Sequence, residues 1–240
     1  MTEETKSGVP SMGAFGRIIN IFSAPKETME SINERPTWLV PFLIVTIITV
    51  VLTIVLMDIR QQDTIAMFEA QDKPAEMIEG VRNMPPAMRY GQLVPIPIVM
   101  IAMWAIFGGV LLFAGNTILG GESKFKKVFS MVAWSGLVGI CGFIVQSLLI
   151  IMKGTAHGVT TSLAIVLPTP AVGQSPSILY RVLTQFDVFA LWQMWIWVIG
   201  VSILFRFTRQ KSATMVFSIW GLWVILSVAL GSLFGNAFGS

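Results

Sequence analysis

Apolar residues fill five long stretches of this chain, roughly residues 38–57, 95–114, 128–152, 188–207 and 213–234, with polar segments between them. A hydrocarbon core about 30 Å thick takes about 20 helical residues at about 1.5 Å each, and every stretch meets that length. Their interiors carry no charge, Arg206 standing at the edge of the fourth. The pattern predicts an all-α polytopic membrane protein with five transmembrane helices. A soluble fold would have to bury five helices that are apolar all round within 240 residues, which surface-to-volume scaling makes implausible.

Shorter periodicities occupy the polar segments. In the tail, residues 1–37, Phe15, Ile18, Ile19 and Phe22 recur at helical spacing. A second turn starts at Pro25, which suits a first-turn position, with Glu27 complementing the helix dipole. Met29 and Ile32 extend the stripe until Arg35-Pro36 stops it. This predicts an amphipathic helix that either lies on the cytoplasmic leaflet, held by Arg17 and Lys26, or covers the ends of the spanning helices. The first loop is acidic, and Ile65, Phe68, Met77, Ile78 and Val81 suggest short surface helices there. The loop 154–185 holds Pro168, Pro170 and Pro176, and its apolar run 163–167 is too short to cross. The chain divides into a cytoplasmic tail, 1–37, and a five-helix domain, 38–236.

Charge sets the expected orientation. Only 12 % of residues are charged, against about 25 % in soluble domains. With the N-terminus inside, Lys6, Arg17, Lys26, Arg35, Lys124, Lys126, Lys127, Arg206, Arg209 and Lys211 face the cytoplasm. Arg60, Lys73, Arg82, Arg89, Lys153 and Arg181 face outward, and the longer first loop also carries the acids. The positive-inside rule therefore predicts an inside N-terminus and an outside C-terminus. Dispersal of the basic residues among short loops excludes a nucleic-acid face. The first apolar run exceeds a signal peptide's apolar region and is expected to stay as an anchor.

Candidate chemistry is sparse. Small residues form two possible packing seams, Gly136, Gly139 and Gly142 on the third helix and Ser227, Gly231 and Gly235 on the fifth, serving the monomer or a homo-oligomer. Thr46, Thr49 and Thr53 share a face of the first helix, and Gln146 and Gln193 are the strongest polar groups in the apolar runs. They are expected to bond between helices, with a small polar groove as the alternative. Mid-membrane ionisable groups are not expected, which argues against an ion-coupled pump. Cys141 stands alone, His157 is the one histidine, and no phosphate-cradle, zinc-hydrolase, nucleophile-elbow or paired-cysteine pattern occurs. No enzyme, cofactor or metal site is expected. Trp38, Trp134, Trp192, Trp195 and Trp197 suit membrane interfaces.

Three short segments resemble the Yip family. The first is the run Phe22 to Ile32, with Pro25 and Glu27, followed by Pro36, Trp38 and Pro41. The second is Gly120-Gly121 leading to Phe125, Val128, Phe129, Trp134 and Ser135. The third is Asp187 with Phe189 and Trp192. The resemblance spans about residues 15–235 and implies five spans with an inside N-terminus. Eukaryotic members are Golgi and endoplasmic-reticulum proteins linked to Rab-type GTPases through long cytoplasmic tails. Here the tail is short for that partner, and the resemblance implies a prokaryotic cytoplasmic membrane protein. For Pro25, Glu27, Gly121, Phe129, Asp187, Phe189 and Trp192 it implies structural roles: first-turn proline, helix-start acid, turn glycine and interface anchors. The expected function is organisation of the bilayer or of membrane-protein partners, the alternative being passive translocation of lipid or small molecules.

Overall fold

The structure, a computed structural model, describes residues 12–235, with side chains through Gly231; Lys6 lies outside the described residues. The helices run α1 (Ala14–Ser23), α2 (Pro25–Glu34), α3 (Leu39–Ala70), α4 (Ala75–Arg82), α5 (Pro86–Gly91), α6 (Pro95–Phe113), α7 (Phe125–Lys153), α8 (Ile178–Thr184), α9 (Val188–Leu204) and α10 (Arg209–Gly235). Four helical runs are long and apolar enough to cross a membrane: α3, Pro86–Ile118 with α6 at its heart, α7 and α10. The shorter α9 is the fifth apolar helix.

Helix ends differ from the apolar runs where local chemistry overrides hydropathy. α3 continues past its apolar run to Ala70, absorbing Ile65 and Phe68, since nothing breaks a helix there before Pro74. α4 then folds back, Gln61 Nε2 donating to the Val81 carbonyl at 2.6 Å. α6 loosens into a π turn over Ala114–Ile118. α7 stops at Gly154, whose φ of 75° is left-handed. α9 stops at Leu204, three residues before the end of its apolar run, because Arg206 turns the chain at φ 56°.

α7 is the centre of the bundle, packed against α3, α6 and α9, and α10 packs on α9. Its small residues Ser130, Ala133, Ser135, Gly136, Gly139 and Gly142, set around the helix, let neighbours on more than one side approach closely, which is how helices associate where lipid gives no hydrophobic drive. The tail forms two helices rather than one. Pro25 cannot continue α1 and pushes Ala24 out of helical geometry, so α2 folds back antiparallel on α1. This hairpin sits on α7 and α9, burying Ile21, Met29 and Ile32 in the core and leaving Phe15 and Ile19 exposed.

Candidate functional site

Glycines set the register of α7 against its neighbours. A side-chain carbon at Gly136 would stand 2.9 Å from the Trp104 ring, at Gly139 2.9 Å from Gln193 Oε1, and at Gly142 2.8 Å from Phe189 Cβ. On α9, Gly200 makes the same kind of room for Met131. These contacts lie within the monomer. Beside them Ser135 Oγ accepts from Trp197 Nε1 at 2.6 Å and from Gln193 Nε2 at 3.3 Å, and donates to the Val132 carbonyl at 2.7 Å. The α10 seam behaves differently. Gly231 faces Arg181 of α8 rather than a spanning helix, Ser227 donates to its own helix at Val224, and the surroundings of Gly235 lie outside the described side chains.

The polar residues of the spans do not form one groove. Thr46 donates to Met100 Sδ at 3.5 Å. Thr49 and Gln193 share a cavity of about 240 Å³. Gln146 instead lines a separate cavity of about 400 Å³ with Arg60 and Asp63, and Thr53 lines neither.

A larger space opens where no apolar pattern marked one. α6 and α10 approach through side chains, Phe107 against Trp223 with ring centroids 6.1 Å apart, and between them and α9 lies a cavity of about 700 Å³. Its walls are apolar and aromatic, including Trp104, Trp197, Trp220 and Trp223, while Gln185, Asp187 and Gln193 supply polar atoms. A second cavity of about 520 Å³ follows the same seam towards Leu119 and Lys211, and Ile219 lines both. Lys211 crosses that end, its Nζ donating to the Leu119 carbonyl at 2.9 Å over the Phe207 ring.

Asp187 lies deeper than its place in the sequence suggests. Because Phe189 packs on Gly142, Asp187 stands at about the level of Ile144, about 13 Å along α7 from Lys153. The segment 154–187 folds down to meet it, pairing Ser162 with Asp187. An ionisable group does therefore stand within the thickness of the bundle. Its Oδ1 accepts from the amides of Phe189 and Ala190 at 2.9 and 3.0 Å, and Oδ2 accepts from the Thr161 hydroxyl, so it caps α9. Among the described residues no cation pairs with it.

Arg17 and Trp134 are the other departures from expectation. Arg17 faces inward instead of towards a leaflet surface: Nε donates to Ser31 Oγ at 3.1 Å, Nη1 to Thr37 Oγ1 at 2.8 Å, and the guanidinium lies 5.7 Å from the Trp134 ring centroid. Burial, with the nearby positive Arg35, lowers its pKa from the ordinary value. Lys26 does point out, 3.7 Å from Glu30. Trp134 is fully buried, its indole N–H donating to the Thr37 carbonyl at 2.7 Å.

The three motif segments touch one another. Phe22 packs edge-on to Trp192, Trp38 to Phe129, and Phe129 to Trp104. Pro25 and Glu27 open α2, and Gly121 sits under Phe207 with its amide on the Gly115 carbonyl. Phe129, Phe189 and Trp192 thus join helices rather than only meeting an interface. Cys141 donates to the Leu137 carbonyl, and no group of three or more metal-ligating side chains gathers among the described residues.

The family model for the Yip1 domain matches residues 19–231. Membrane protein YknW of Bacillus subtilis (strain 168) is 24 % identical over 216 residues, covering 89 % of each chain. No solved structure matches. The match takes in the second half of α1 with α2, the π turn, the capped α9 and nearly all of α10, and on that extent the chain belongs to the Yip1 domain family of membrane proteins.

Proposed function

We propose that the protein is a non-enzymatic organiser of a prokaryotic cytoplasmic membrane, and that it works by holding an amphiphile of the bilayer in the crevice between α6 and α10. One observation carries this reading: a cavity of about 700 Å³, walled by tryptophan, phenylalanine and aliphatic side chains, on a flank where two spanning helices stay apart. That volume is within the range of about 300–1,000 Å³ typical of small-ligand sites and too small for a partner helix. Translocation fits less well. A headgroup crossing the bundle would need successive polar partners, whereas Thr49 with Gln193 and Gln146 belong to separate cavities. The charge distribution supports an N-terminus inside and a C-terminus outside.

Lipid retention tests the proposal. The full chain, purified in mild detergent from native membranes, is expected to carry bound lipid detectable by mass spectrometry, and Ile219→Trp or Val99→Trp, which fill the crevice, to lose it. Equal lipid retention by the wild type and both variants would refute the reading.

A further inference from the structure

We infer that the amphiphile held in the α6–α10 crevice carries a cationic head, received by the Asp187 carboxylate. This rests on the crevice reading above and adds the charge class of the ligand. Asp187 lines the cavity, and no lysine, arginine or histidine among the described residues pairs with it. Its place about 13 Å along the bundle from Lys153 sets a carboxylate well below the outer end of α7. A charge at such depth is costly and normally meets a partner of opposite sign or a functional role.

Capping alone does not call for that charge. Serine or asparagine would accept the same amides of Phe189 and Ala190 without bringing an anion into the bundle. The carboxylate accepts from three donors, two amides and the Thr161 hydroxyl, and still lines the cavity. The walls complement a cation as well. Trp197, Trp220 and Trp223 line it, and aromatic rings attract ammonium groups as well as packing alkyl chains. The basic Lys211 stands at the far end of the seam, so the two ends differ in sign and a cationic head is directed to the Asp187 end.

Nitroxide-labelled alkyl probes of equal chain length, one bearing a trimethylammonium head, one a carboxylate and one an uncharged alcohol, quench tryptophan fluorescence when they enter. With the full chain in detergent, the ammonium probe is expected to bind most tightly, and Asp187→Asn, which keeps the cap, to weaken it by about tenfold or more while leaving the alcohol probe unchanged. Wild-type binding of the carboxylate or alcohol probe as tight as the ammonium probe would overturn the inference, whether or not the variant folds. Ile219→Trp separates this outcome from failure of the crevice reading: loss of alcohol-probe quenching keeps the crevice, whereas unchanged quenching by all three probes overturns both.

Discussion

The contact between Gly142 and Phe189 makes the sharpest stability prediction. An alanine carbon at 142 would lie 2.8, 2.9 and 3.0 Å from Phe189 Cβ, Cγ and Cδ2. Carbon pairs settle near about 3.5–4.0 Å, so α7 and α9 would have to part by somewhat under about 1 Å. The root of the Phe189 side chain cannot rotate away, and overpacking of this kind costs about 1–3 kcal/mol. Alanine also favours helix over glycine by about 1 kcal/mol, which would mask part of the cost. Gly109 on α6 removes that ambiguity, because a carbon there meets nothing within 4 Å. The difference between Gly142→Ala and Gly109→Ala therefore isolates the clash. For a chain of this size about 1 kcal/mol moves the melting temperature by about 2–4 °C, so Gly142→Ala should melt about 2–12 °C below Gly109→Ala in one detergent at one scan rate. Equal melting temperatures, or a higher one for Gly142→Ala, would refute the α7–α9 register and with it the depth assigned to Asp187.

Other substitutions probe the hairpin and the turns. Trp134→Phe removes the only N–H of that side chain, leaves the Thr37 carbonyl without it and should destabilise by about 1–3 kcal/mol in denaturant titrations. Arg17 has a lowered folded-state pKa, so the unfolded chain binds its proton more readily and stability should rise as pH climbs through the folded value, in the strongly alkaline range. Arg17→Met should abolish that rise. Arg206→Gly should stabilise by about 1 kcal/mol, since φ 56° is left-handed and strains a side-chain-bearing residue. A lower melting temperature for Arg206→Gly would show that the arginine makes a stabilising contact that outweighs the strain.

Hydropathy was enough to locate α3, α6, α7, α9 and α10, because length and charge exclusion are properties of each segment alone. Their ends were less legible: α3 runs on to Ala70 for want of a breaker, and α9 stops early at Arg206. Periodicity found the tail's apolar stripe and Pro25, yet not the hairpin, which depends on the bend at Ala24 and on α7 and α9 offering a surface. Arg17 reads as a leaflet-facing cation in any one-dimensional count, and only Ser31, Thr37 and Trp134 together turn it inward. The crevice left no mark in the sequence. It arises because α6 packs on α7 and α10 on α9, leaving the two to meet only through side chains, and its residues Trp104, Trp197 and Ile219 look like ordinary core from their spacing. Asp187 was visible as part of a motif, while its depth needed the Gly142–Phe189 contact.

Photo-crosslinking asks most directly whether the α6–α10 crevice holds an amphiphile. Benzoylphenylalanine at position 219, inside the crevice, and at position 225, on an exposed face of α10, is irradiated after the chain has been washed into detergent. A native lipid or other amphiphile covalently attached at 219 and absent at 225 is the predicted result. Adducts with detergent alone at both positions would contradict it.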